Sequence, residues 1–201
     1  MAFLDFINKN GSLAEWISAI VAILALLGVG FEYANRKRLD RLQLAQEMID
    51  RLTTDEMLLF ATTVLDWGTG ILIVPEAWRD VVKSPSVAWN LDDIQDALKP
   101  GLTIETRDNP VRLLYRHAFV QLFNHLERMG DLLRRGALDV QDLGPLADLA
   151  NQLKLWDYAR DLEREEREKL FLSPMKIWYP SGAPKMLIDA IVSAFPKKPE
   201  K

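Results

Sequence analysis

The feature that most constrains this chain is an uncharged apolar run from Trp16 to Phe31. As an α-helix, its 16 residues rise only about 24 Å, which is short of the roughly 30 Å hydrocarbon core of a bilayer. Extending the helix to residues 13–34 gives it enough length to cross. The run therefore predicts a transmembrane helix over residues 13–34. Four basic side chains follow it within ten residues: Arg36, Lys37, Arg38 and Arg41.

Three other structures produce an apolar run of this kind. A cleaved signal peptide is disfavoured because the run begins late, charges of both signs precede it and basic residues follow it at once. A buried helix of a soluble domain remains compatible with the short run. An interfacial helix would carry a strong polar face, and this run is apolar on all sides. We favour a membrane span among the four.

The position of the basic residues predicts a topology. Basic side chains that flank a span favour the cytoplasmic side, so we expect residues 35–195 to form a cytoplasmic helical domain. Residues 1–12 would then lie on the opposite face as an interfacial segment. The Pro- and Lys-rich residues 196–201 are expected to fray as a disordered tail.

Small residues recur along the span at spacings of three or four. Such a row lets two helix backbones approach closely in lipid, so it predicts self-association of the protein through the span. The alternative is that the row reflects ordinary use of alanine and glycine in membrane helices. The row consists of Ala14, Ser18, Ala22, Ala25 and Gly28.

The composition narrows the chemistry that the chain can perform. Its 201 residues carry a net charge of −4, so no overall positive field favours nucleic acid, although a local basic patch stays possible. The absence of cysteine excludes disulfides, thiolate metal sites and a cysteine nucleophile. The sequence contains no cofactor-binding motif, and we expect no cofactor.

The spacing of apolar residues and of helix breakers predicts an all-α fold, with the span continuing into a cytoplasmic helical bundle. Thr53 and Glu56 fit a capping box that would start one of these helices. Residues 68–90 read as a connector with a brief helical turn at 76–82, in which the possible strand 71–74 has no evident partner. The predicted helices cover residues 35–52, 54–67, 91–98, 110–135, 145–170 and 184–195.

Only one spacing suggests an enzyme. Arg112 and His117 fit the pattern arginine, four to six residues, histidine, which is typical of the all-helical HEPN ribonucleases. Histidine can move a proton from a 2′-hydroxyl, and arginine can hold the scissile phosphate. Such spacings arise often by chance on helices, and Leu113 replaces the polar residue that usually follows the arginine. A structural role for both residues is the stronger hypothesis.

The other candidate residues read as structural. His117 and His125 lie about 80° apart around one helix and lack a third ligand, so a metal site is not predicted. Trp156 and Tyr158 are expected to be packing or interface anchors. We expect a hydrogen-bonded cluster around His125, formed by Asn124, Glu127 and Arg128.

The segment from Phe123 to Asp139, with Glu127, Gly130 and Gly136, resembles a motif of a bacterial family of single-span, membrane-anchored helical proteins of unknown function. The layout is similar, more weakly, to the small pore-forming membrane accessory protein of type VI CRISPR systems. The resemblance implies a location in the bacterial inner membrane. It also implies an oligomeric effector that forms a pore or perturbs the membrane in antiviral defence.

Two other functions stay open at this point. One is an HEPN-like ribonuclease that uses Arg112 and His117, and the other is a membrane scaffold for a soluble partner. In the leading hypothesis the chain is not an enzyme, and its partners are the lipid bilayer and further copies of itself. Nucleic acid is disfavoured as a partner but not excluded.

Overall fold

The computed structural model describes residues 13–68, 70–154, 156 and 163–196. The predicted interfacial segment 1–12, Tyr158 and the tail residues 197–201 lie outside the described residues. The chain divides into two units, residues 1–43 and residues 44–201. In the first unit, the described residues form a single helix that continues into the second unit.

Helices make up most of the described chain, which confirms the predicted all-α class. The strands form one two-stranded sheet, and two short 3₁₀ helices cover Glu76–Trp78 and Val140–Leu146. In chain order the elements are α1 (Leu13–Thr54), α2 (Glu56–Trp67), β1 (Ile71–Ile73), α3 (Arg79–Val82), β2 (Ser86–Ala88), α4 (Leu91–Leu98), α5 (Ile104–Asp108), α6 (Pro110–Arg134), α7 (Ala147–Lys154), α8 (Arg164–Trp178) and α9 (Ala183–Ala194).

Helix α6 is the centre of the second unit, and it begins where the sequence predicts. The side chain of Asn109 accepts hydrogen bonds from the backbone N–H groups of Val111 and Arg112, and Pro110 occupies the first helical turn. The helix packs against α2, α4 and α9. Its buried apolar side chains, which form the middle of the core, are Leu114, Tyr115, Ala118, Phe119, Leu122, Phe123, Leu126 and Met129.

The start of α2 differs from the prediction. Thr53 is still part of α1, and its hydroxyl donates to the carbonyl oxygen of Asp50. Asp55 is the N-cap instead, and its carboxylate accepts from the N–H groups of Met57 and Leu58 at 2.9 and 3.1 Å. An aspartate two residues further along offers a stronger acceptor, so α1 runs on to Thr54 before the chain turns.

The predicted connector 68–90 contains a β-hairpin that was not predicted from the sequence. Strand β1 pairs with β2 in antiparallel register, with Leu72 opposite Val87. The predicted helical turn at 76–82 is confirmed, as a 3₁₀ turn followed by α3. The partner of β1 was not recognised because it lies beyond this turn and is only three residues long.

The predicted continuous helix over residues 145–170 is wrong. A 3₁₀ helix ends at Leu146, α7 ends at Lys154, and α8 starts only at Arg164. Trp156 lies outside any helix and is completely buried. The start of α8 is marked by a capping box between Glu163 and Glu166, a signal that is visible in the sequence.

Candidate functional site

The apolar part of α1 is exposed along its whole length. Every described side chain from residue 15 to residue 40 is solvent-exposed, including Leu24 at 62% and Phe31 at 75%. The helix is long and apolar enough to cross a membrane. A soluble protein would bury such a surface, because contact between water and apolar area is unfavourable. The exposed apolar helix is therefore the first candidate functional element.

The small residues of this helix share one side. At 100° per residue, Ser18, Ala22, Ala25 and Gly28 fall within an arc of roughly 120°. All four are exposed, and a Cβ atom added to Gly28 would meet nothing within 4 Å. A second helix backbone can therefore approach this side closely. Gly30 is equally open but lies about 160° away from Gly28 around the helix, so it belongs to another side.

Charged residues mark the end of the apolar run. Glu32 pairs with Arg36 at 2.6 Å, one helical turn apart, and both side chains are exposed. Lys37 and Arg38 are also exposed, while Arg41 is half-buried. Where a helix of this kind crosses a membrane, exposed basic side chains beside it attract anionic lipid headgroups.

Arg112, one of the two HEPN-like candidates, is held by two carboxylates of α4. Its Nε donates to Asp93 Oδ1 at 2.8 Å, and its Nη1 lies 2.5 Å from Asp96 Oδ2. The hydrogen bond from Lys99, together with the charge of Arg112, holds the pKa of Asp96 below its usual value. A phosphate could reach this guanidinium only by displacing carboxylates that already neutralise it.

The neighbouring Arg116 fastens the same helix. Its guanidinium donates to the carbonyl oxygens of Ala97 and Lys99 at 3.0 and 2.7 Å, at the end of α4 where backbone acceptors lack helical partners. It also lies over the ring of Trp178, 4.8 Å from the ring centroid. Arg112 and Arg116 thus hold α4 in place.

His117, the second HEPN-like candidate, is exposed and points elsewhere. Its ring lies 5.4 Å from the ring of Trp78, and one ring nitrogen is 3.5 Å from the Gln121 amide. It lies five positions after Arg112, which places the two side chains about 140° apart around α6. Within one chain they do not form a common site, so the geometry favours the structural interpretation of this spacing.

His125 does not bind the three neighbours that the sequence predicts. Its Nε2 lies 2.8 Å from the carbonyl oxygen of Met48, on α1. Asn124 instead accepts from the Tyr179 hydroxyl, and Glu127 accepts from Ser181 Oγ. Because Met48 and His125 are 77 positions apart, no local sequence signal could have revealed this contact.

A groove between α2 and β1 was not predicted. It encloses about 320 Å³, and its rim includes the exposed side chains of Leu59, Ile71 and Ile73. The register pairs Leu72 with Val87, so the backbone N–H and C=O groups of Ile71 and Ile73 point away from β2. The groove is lined by Glu56, Leu59, Phe60, Thr63, Ile71, Leu72, Ile73, Val74, Pro75, Glu76 and Arg79.

A search for metal-binding groups and comparisons with known proteins identify no further site among the described residues. Among the described residues, no three histidine, aspartate or glutamate side chains are grouped so that they could hold a metal ion. No protein-family model, curated protein or solved structure matches the chain. The candidate site therefore rests on the geometry alone, and the exposed apolar face of α1 is its most distinctive part.

Proposed function

We propose that this chain is a single-pass membrane protein that self-associates through its span and holds a helical domain at the cytoplasmic surface. The observation that carries the proposal is the complete exposure of an uncharged apolar helix. Such a helix is stable in a bilayer, because the backbone hydrogen bonds of the helix are internal and its side chains prefer hydrocarbon to water.

The row of Ser18, Ala22, Ala25 and Gly28 supports the self-association. Lipid is as apolar as leucine, so spans associate mainly through close packing and hydrogen bonds, and small side chains allow that packing. One helix cannot enclose a conduit. A membrane-perturbing effector, such as the resemblance to bacterial antiviral proteins suggests, therefore requires several copies in the inner membrane.

The ribonuclease hypothesis receives no comparable support. Asp93 and Asp96 neutralise Arg112, and His117 lies on a different side of α6. The scaffold hypothesis differs from ours only in its partner, and measurement of the oligomeric state separates the two.

A matched pair of glycine variants tests the self-association. Full-length protein is labelled with donor and acceptor dyes and reconstituted into vesicles, and energy transfer between copies is measured. Gly28→Leu should abolish the transfer because the bulky side chain separates the helices. Gly30→Leu makes the same change on another side of the helix and should leave the transfer intact. A wild-type protein that shows no transfer contradicts the proposal, and equal losses in both variants contradict the assigned face.

Two additional measurements test the membrane placement and any pore. The chain lacks cysteine, so Asn10→Cys and Ser193→Cys each provide a single thiol for a membrane-impermeant maleimide. In intact cells we expect labelling at position 10 only, and the reverse pattern overturns the topology. Dye leakage from vesicles should occur with the wild-type protein and disappear with Gly28→Leu. Leakage that persists in this variant contradicts conduction through packed spans.

A further inference from the structure

The contact between His125 and Met48 joins α6 to the C-terminal part of α1. His125 is 7% exposed and Met48 is 1% exposed. A carbonyl oxygen can only accept, so the ring must donate from Nε2, which fixes the Nε2–H tautomer of the neutral imidazole. Met48 belongs to the same helix as the proposed span. The hydrogen bond therefore contributes to fixing the cytoplasmic end of that helix.

The surroundings of His125 oppose a second proton. Burial lowers its pKa from the usual 6.5, although the bond to Met48 acts in the other direction. Arg51 at the end of α1 and Arg128 on α6 lower the pKa further, and Asp55 between α1 and α2 raises it. The carboxylate of Asp55 already accepts from two backbone N–H groups at the start of α2. Arg51 is itself paired with Glu47 at 2.9 Å.

We propose that His125 is a pH-sensitive contact whose protonation loosens residues 44–54 of α1 from α6. The proton adds a full charge and a second N–H group at a buried position that two arginines flank. This inference rests on the proposed function only in that α1 is the membrane helix. A protein of this design would respond to acidification on the side of the membrane that holds the helical domain.

The direction of the pH effect follows from the lowered pKa. The unfolded chain binds the proton more readily than the folded chain, so acid favours opening. The contact has its full strength above about pH 6.5, the usual pKa of histidine. As the pH falls from there towards the pKa of the folded state, the population of the opened form rises by up to tenfold per pH unit. Below the pKa of the folded state, the effect levels off.

Among the described residues, Asp66 is shifted in the sense opposite to His125. Burial and the nearby charge of Asp148 raise the pKa of Asp66 above its usual value. The folded chain therefore binds this proton more readily than the unfolded chain, so acid stabilises the folded state at Asp66 and could mask the effect of His125. The variant Asp66→Asn removes this opposing contribution.

Hydrogen exchange on full-length protein in bilayer nanodiscs tests the proposal. Protection of residues 44–54 is compared at pH 7.5 and 5.5 after correction for intrinsic exchange rates. We expect wild type, Asp66→Asn and His117→Gln to lose protection there in acid. His125→Gln should show no such dependence, because glutamine can still donate to Met48 but does not titrate in this range. His117→Gln is the matched control, since it removes the other histidine of the same helix.

Three outcomes would overturn the inference. The first is a loss of protection in acid that persists in His125→Gln. The second is wild-type protection of residues 44–54 that does not change with pH. The third is a loss of protection in acid that is equally large throughout α6 and α9. Should His125→Gln fail to fold, NMR titration of the His125 ring in the wild type decides instead, and a pKa of His125 at or above the usual 6.5 contradicts the proposal. Repeating the exchange in Gly28→Leu separates this inference from self-association, because the pH effect should be the same in a monomer.

Discussion

The indole of Trp156 donates its Nε1–H group to the carbonyl oxygen of Leu65 across 2.9 Å. Leu65 lies in the last turn of α2, where carbonyl oxygens have no partner within the helix. Trp89 donates in the same way to the adjacent carbonyl of Val64 at 3.1 Å, and the two indole rings lie 5.5 Å apart. Two tryptophans from distant parts of the chain thus cap one helix end.

The first prediction concerns this cap. Trp156→Phe should destabilise the protein by about 1–3 kcal/mol, because the buried carbonyl of Leu65 loses its donor while most of the ring contact with Phe171 remains. Urea unfolding of full-length protein in micelles measures the loss. Trp178→Phe is the control, since the Trp178 indole makes only a long bond of 3.4 Å to Pro100. Equal losses in both variants would refute the capping role.

The second prediction concerns the ion pairs of Arg112. Arg112→Met should lower the free energy of unfolding by about 1–3 kcal/mol, because two partly buried carboxylates lose their shared cation. Their exposure of just over one-fifth keeps the effect below that of a fully buried pair. Combining the change with Asp93→Asn should cost less than the sum of the two single changes.

The same variant separates a structural role from a catalytic one. Incubation of single-stranded RNA with the purified wild-type protein should leave the RNA intact, and His117→Ala should behave identically. Cleavage by the wild type that disappears in both Arg112→Met and His117→Ala would reinstate the ribonuclease hypothesis.

The third prediction concerns the close approach of α6 and α9. A Cβ atom at Gly130 would lie 2.4 Å from the carbonyl oxygen of Ala183, which is backbone and cannot rotate away. Gly130→Ala should therefore destabilise the protein by about 1–3 kcal/mol through overpacking, in spite of the better helix propensity of alanine. Thermal unfolding measures the change. Gly101→Ala, where the added atom meets nothing within 4 Å, should leave the melting temperature nearly unchanged.

The fourth prediction distinguishes the two residues that could start α2. Asp55→Ala should cost about 1 kcal/mol of stability, since the N–H groups of Met57 and Leu58 lose their acceptor. Thr53→Ala removes only an exposed bond from the hydroxyl to the carbonyl of Asp50 and should cost less than half as much. A larger loss from Thr53→Ala would restore the capping box that the sequence suggests.

Helices α4 and α6 begin at the predicted residues, 91 and 110. Asn90 and Asn109 cap these helices, and Pro110 occupies the first turn of α6. Both signals depend only on residues within one helical turn, so they can be recognised from the sequence alone. The break between α7 and α8 was missed because a long stretch of helix-forming residues hid it. Its cause is the burial of Trp156 against α2, which is a tertiary contact.

The same distinction between local and tertiary causes applies to the candidate site. Composition and spacing were sufficient to predict the exposed apolar helix, since its properties belong to one continuous segment. They were not sufficient for Arg112 or His125, whose partners Asp93, Asp96 and Met48 come from other helices. A short motif such as arginine and histidine five positions apart carries no information about which residues of other helices will bind those two side chains. Only the packing of α4 and α1 against α6 decides that.

The β-hairpin has a consequence for engineering the chain. A segment that reads as a dispensable connector supplies Leu72 and Val74 to the core, and Trp89 directly after it caps α2. Deleting it would uncover one end of the helical domain. Lys83, which follows α3, is different, because its side chain is exposed and its backbone is already left-handed. An epitope tag or a fluorophore inserted directly after Lys83 would report on the domain while leaving its core and the exposed apolar helix unchanged.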